Sequence, residues 1–170
     1  MSVGSQGKDA VLRVLFVCTG NTCRSPMAEA VFRKLAAEKI GCREWELRDR
    51  GVDVFSAGVA AAENFPASRE AIEAVKDYNL DLSQHLSQPV TVEMLEKCSL
   101  VLTMTSRHLD AVRRGCPARA DRMFLLSKAG CDVSDPIGQG LPQYKDCIDE
   151  ISDSIRIWVD ELFQKELSEK

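Results

Sequence analysis

The residues best equipped for chemistry sit in one stretch, Cys18-Thr19-Gly20-Asn21-Thr22-Cys23-Arg24-Ser25-Pro26. An apolar run ending at Val17 breaks there into small polar residues, and a helical pattern follows. A strand, a loop and a helix N-terminus in that order can turn backbone N–H groups inward and add the positive end of the helix dipole, a hollow that favours an oxyanion. The Gly-x-x-x-x-Gly-Lys spacing of nucleotide cradles is absent, and a thiol stands at the mouth instead. The inward dipoles, the Arg24 guanidinium and the Ser25 hydroxyl all favour a thiolate, so Cys18 is expected to be ionised near neutral pH and to attack phosphorus. Arg24 can grip two phosphoryl oxygens bidentately, which lysine cannot match. Thr19, Gly20, Asn21, Thr22, Cys23 and Ser25 complete the phosphate-binding loop, with Gly20 and Asn21 suited to positive-φ turns. Cys23, close to Cys18 in the loop, could capture an oxidised Cys18 as a disulfide.

The segment Cys18 to Pro26 resembles the Cys-x5-Arg-Ser signature of the low-molecular-weight protein tyrosine phosphatases and their bacterial protein-arginine phosphatase relatives. The likeness covers nearly the whole chain after its first ten residues, and a late Asp135-Pro136 belongs to the same pattern. The resemblance implies a cysteine-dependent protein phosphatase working through a cysteinyl-phosphate, with Asp135 as the general acid and then the base. It also implies that Ser56 and His85 tie down Asn21. On residue chemistry alone Asp135-Pro136 is a turn within the polar loop from Gly130 to Gln143.

Two residues bear on the substrate. Tyrosine-specific members place aromatics after the Asp-Pro, whereas here Ile137-Gly138-Gln139-Gly140 follows. At Thr22 the tyrosine-specific members carry a branched apolar residue and the arginine phosphatases a threonine. A guanidinium offers only donors, so its pocket needs acceptors, which the Thr22 hydroxyl and the Asp135 carboxylate would supply. Phosphoarginine in proteins is therefore the expected substrate, with phosphotyrosine the alternative. Arsenate reduction is more distant, because it needs two further cysteines close together, and Cys98 and Cys116 are far apart in sequence. A binding module without turnover would need neither Cys18 nor Asp135.

Elements that could position these residues follow from periodicity. Val11 to Val17, Gly51 to Gly58, Leu100 to Met104 and Met123 to Leu126 read as strands. Pro26 to Lys39, with Met27, Ala30, Val31 and Leu35 on one face, reads as a helix ended by Gly41. Further helices are expected over Ala67 to Tyr78, after Thr91, over Ser106 to Arg114, and from Gln143 to Lys165, the last with Ile148, Ile151, Ile155, Trp158, Val159 and Leu162 on one side. Alternating strands and helices call for an α/β fold of three layers, α/β/α, around a parallel sheet, and the resemblance to the phosphatases implies four strands in a flavodoxin-like topology. Ligands in such folds bind beyond the carboxyl ends of the strands, where Cys18 falls.

At 170 residues the chain suits one domain over residues 11–168, preceded by a loose arm over 1–10. A net charge of −4 argues against nucleic-acid binding, and no apolar run approaches the roughly 20 residues that span a bilayer. The 7 cysteines are odd in number and lack zinc-ligand spacing, so neither a disulfide framework nor a metal is expected. The reading is of a cytoplasmic monomer without cofactor, acting on phosphorylated proteins.

Overall fold

The computed structural model describes residues 11–164; the expected arm at 1–10 and the chain beyond 164 lie outside them. In chain order come β1 (Leu12–Cys18), α1 (Arg24–Ile40), β2 (Val52–Gly58), α2 (Arg69–Ala74), α3 (Val92–Lys97), β3 (Leu100–Thr103), α4 (Ser106–Gly115), β4 (Met123–Leu125) and α5 (Leu141–Phe163). The strands form one parallel sheet in the order β2-β1-β3-β4.

β1 is central, and its pleat sends side chains to two cores. Val14, Phe16 and Cys18 join the larger core with α1 and α5, while Leu15 and Val17 meet Leu95, Leu109 and Val112 in a smaller core with α3 and α4. Burial on both faces is why β1 reads as an unbroken apolar run. The expected three-layer α/β/α architecture is the one observed.

α1 begins at Arg24, with Pro26 in the first turn, where its missing N–H costs nothing. It ends at Gly41, whose φ of 79° allows its N–H to reach the Ala37 carbonyl at 2.9 Å. Its buried stripe differs from the expected one: Met27, Ala28, Val31, Phe32 and Ala36 face the core, with Ala30 and Leu35 only half-buried. Phe32 sets this rotation, its ring lying 5.5 Å from that of Phe16. The helix expected over Ala67 to Tyr78 is shorter than its pattern. Ser68 caps it by accepting the Ala71 N–H, and after Ala74 it tightens into a 3-10 turn closed by Asn79 at φ 55°.

The end of β2 backs directly onto the loop after β1. A Cβ added at Gly58 would lie 2.3 Å from the Thr19 carbonyl oxygen and 3.0 Å from the Asn21 nitrogen. Any side chain there must push the loop away. Gly58→Ala is expected to cost about 1–3 kcal/mol, a fall of roughly 3–10 °C in thermal midpoint by calorimetry. An unchanged midpoint would show that the loop yields freely.

Candidate active site

The loop Cys18 to Arg24 closes into a cradle because its carbonyls are taken up from outside. The Cys18 and Thr19 carbonyls accept from the Val59 and Ala60 N–H groups at 2.9 and 3.0 Å, and that of Thr22 accepts from the Ser68 N–H at 2.9 Å. The Asn21 carbonyl meets His85 Nε2 at 2.7 Å. With its oxygens engaged outward, the loop is free to turn N–H groups inward, and no side chain caps the α1 N-terminus behind it.

Asn21 holds the turn at φ 57° and is fully buried. Its Nδ2 donates to Ser25 Oγ and to Ser56 Oγ, both at 2.9 Å, and its Oδ1 accepts from the Gln88 N–H at 3.0 Å. Ser56, which lies within β2, passes its own proton to Glu29 at 2.7 Å, and Arg33 anchors that carboxylate. Ser25 Oγ accepts from Asn21, which leaves its proton for Cys18 Sγ 2.8 Å away.

Cys18 is 3% exposed and accepts the Asn21 N–H at 3.3 Å. Burial pushes its thiol above the ordinary value, against the Ser25 hydroxyl, the Ser25 and Asn21 N–H groups and the Arg24 charge, all of which pull it down. The expected thiolate thus has burial against it and these donors for it. The sequence reveals the donors around the sulfur, but not the loss of water that outweighs them.

Arg24, itself buried, spans from the cradle to the late loop. Its Nη1 donates to the Val133 carbonyl at 2.9 Å, and its Nη2 lies 3.4 Å from Asp135 Oδ2. That loop is pinned to the sheet by the Val133 N–H on the Met104 carbonyl at 2.8 Å. Asp135 is fixed further by the Ile137 N–H on its Oδ1 at 3.0 Å, while the Ile137 side chain stands exposed.

Two cavities flank the cradle. One, of about 630 Å³, is lined by Thr19, Arg24, Arg107, His108, Asp110, Arg114 and Asp135, among others. The second, of about 420 Å³, is lined by Gly20, Thr22, Phe65 and Pro66, among others. Of the two residues expected to accept from one guanidinium, Asp135 lines the first cavity, beside Asp110, and Thr22 lines the second. Cys23 and Cys18 are both free thiols. The Cys23 sulfur has Tyr144 Oη and Ser68 Oγ as partners, each at 3.4 Å. Among the described residues no three His, Cys, Asp or Glu side chains group as metal ligands would. No described helix is long and apolar enough to cross a membrane.

The model of the low molecular weight phosphotyrosine protein phosphatase family matches residues 13–169. The chain belongs to that family. It is similar to the protein-arginine-phosphatase of Bacillus subtilis, 38% identical over 147 residues that cover 84% of this chain and 91% of that protein. A solved low molecular weight protein tyrosine phosphatase from T. tengcongensis is 39% identical with a TM-score of 0.78, over 88% of this chain and 99% of that one. An arsenate reductase of Bacillus anthracis is 33% identical over 143 residues, 84% of this chain and 90% of that protein. Overall likeness separates these activities poorly, so the site itself must discriminate.

Glu29, Gln88, His108, Asp110 and Tyr144 at this site escaped the sequence reading. Only His108 carried a local signal, as the third helical residue in a capping box with Thr105. Burial, reinforced by the Arg24 charge, lowers its pKa to about 4. Between pH 6.5 and pH 4 the unfolded chain therefore binds a proton that the folded one refuses, and stability falls as pH drops through that window. His108→Gln removes this component. Relative to the variant, the wild type should lose on the order of 3 kcal/mol between pH 7 and pH 4 in denaturant titrations. A stability difference independent of pH would contradict a neutral buried imidazole.

Proposed function

We propose that the chain is a cysteine-dependent protein phosphatase that removes phosphate from phosphoarginine. The observation that supports the substrate choice is the 630 Å³ cavity beside the loop, where Asp110 and Asp135 stand among Arg24, Arg107 and Arg114 and no Phe, Tyr or Trp is present. A guanidinium entering it finds acceptors for its donors, and each buried donor left unpaired would cost roughly 1–3 kcal/mol. A phenyl ring would find no aromatic wall.

In this reading the phosphoryl group sits on the loop N–H groups and the Arg24 guanidinium. The Cys18 proton passes to a phosphoryl oxygen of the dianion, which gives the same proton count as a thiolate facing a monoanion. The sulfur then attacks phosphorus, the P–N bond breaks, and Asp135, entering this step as the carboxylic acid, gives its proton to the departing guanidine nitrogen and is left as the carboxylate. Water, deprotonated by the Asp135 carboxylate, hydrolyses the cysteinyl-phosphate and releases phosphate and the Cys18 thiolate. Ser56 and His85 act by holding Asn21, and so the loop, in shape. Asp135 is suited to both proton transfers because Arg24 holds it at the rim, half-exposed to leaving group and water.

Arsenate reduction is disfavoured because Cys98 and Cys116 are buried in the smaller core rather than placed to relay a disulfide outward. A second reading concerns oxidation of the same site. Peroxide would convert Cys18 to a sulfenic acid, and the Cys23 thiol would displace water to form a disulfide. The enzyme would then be redox-sensitive.

The direct test is kcat/KM on phosphoarginine and phosphotyrosine side by side, with Cys18→Ser as the blank. Phosphoarginine should be preferred. Asp110→Asn should lower turnover of phosphoarginine while sparing phosphotyrosine, and equal losses on both would count against the selectivity argument. For the redox reading, Cys23→Ser should abolish recovery of activity by dithiothreitol after prolonged exposure to excess peroxide, because an uncaptured sulfenic acid is oxidised further to the irreversible sulfinic acid. Full recovery in that variant would dismiss Cys23 as the captor.

A further inference from the structure

His108 is a buried imidazole at the reaction cavity that none of the steps above uses. Its ring is caught between two partners. Nδ1 lies 3.2 Å from the Thr105 nitrogen, which can only donate, so Nδ1 is the acceptor and carries no proton. The ring proton of the neutral form is therefore on Nε2, which lies 2.8 Å from Thr19 Oγ1 and must donate to it. The imidazole is held in place by its own helix, since the His108 N–H donates to Thr105 Oγ1 at 3.3 Å, and Thr103 Oγ1 donates to the Thr105 carbonyl at 3.1 Å. His108 itself is 4% exposed.

The consequence falls on Thr19, the residue after Cys18 and an exposed part of the cradle rim. One lone-pair direction of its hydroxyl is occupied by the His108 proton. The hydroxyl's own proton must then point elsewhere, and Thr19, His108, Arg24 and Asp135 line the same cavity. We propose that His108 is a positioning residue for phosphoryl transfer, which fixes Thr19 Oγ1 as an acceptor toward the protein and so presents the Thr19 O–H to the phosphoryl group as a donor. This rests on the phosphatase reading, though not on the choice of phosphoarginine over phosphotyrosine. An imidazolium could not do this, because it would turn a donor against the Thr105 N–H. The Arg24 charge faces the ring as well, and with burial it keeps the imidazole neutral against the opposing pull of Asp132 and Asp135. The arrangement also separates His108 from a proton carrier, since both nitrogens are engaged within the protein.

The test is a double-mutant cycle with p-nitrophenyl phosphate, a small aryl phosphate that reports on the loop whichever protein substrate is correct. Thr19→Val and His108→Leu should each lower kcat/KM about 5- to 10-fold, the scale of one neutral hydrogen bond. The double variant should be no worse than either single one, because the two residues act as a unit. His108→Gln, which can still donate to Thr19, should restore most of the loss. In every variant the limbs of the pH–rate profile should stay where they are in the wild type.

Losses that multiply in the double variant would overturn the proposal, as would a Gln variant no better than Leu. A limb of the pH profile that disappears in His108→Leu would make the histidine a proton carrier instead. If His108→Leu fails to fold, the exposed Thr19→Val still decides, since an unchanged kcat/KM there contradicts the proposal. A low rate on phosphoarginine alongside the expected cycle on the aryl phosphate would fault the substrate reading and leave the positioning role standing.

Discussion

The site depends on one buried residue that catalyses nothing itself. Asn21 takes a left-handed turn that lets the loop after β1 close, and every polar atom of its side chain is satisfied by a different part of the chain: Ser25 on α1, Ser56 on β2, and Gln88 in the loop before α3. With water excluded, an amide holding three hydrogen bonds has one orientation, and that orientation fixes the loop. The carbonyls then point outward to partners and the N–H groups inward, which is the electrostatic content of an oxyanion cradle.

From Asn21 the proton order propagates in both directions. Toward β2 it runs through Ser56 to Glu29 and Arg33; toward the nucleophile it runs through Ser25 to Cys18. Each hydroxyl accepts from the asparagine and donates onward, so the Ser25 proton is committed to the sulfur. Arg24 performs the matching task across the mouth, tying the cradle to the loop that carries Asp135. A parallel α/β sheet makes this economical, because the loops after β1, β2, β3 and β4 all emerge at the same edge.

Most of the architecture was legible from the sequence, because local periodicity decides it: β1 is apolar on both faces, and α5 repeats its isoleucines at helical spacing. The loop was legible because Cys18 to Ser25 is contiguous, and Ser56 and His85 were singled out only through the family resemblance. What failed to show depends on distance or on water. His108 meets Thr19 across 89 positions and Gln88 meets Asn21 across 67, and neither pairing leaves a mark on local pattern. Around Cys18 the donors were visible in the sequence, and the desolvation that opposes them was not. Thr22 and Asp135 were assigned to one pocket because both can accept, yet each lines a different cavity beside the loop.

The central claim is that Cys18 carries the phosphoryl group and Asp135 moves the protons. Its most direct test is rapid-quench mass spectrometry of Asp135→Asn mixed with p-nitrophenyl phosphate, whose phenolate needs no proton to leave. The account predicts phosphate accumulating on Cys18, since attack proceeds while hydrolysis lacks its base. Phosphate on any other residue, or steady turnover that survives in Cys18→Ser, would contradict it.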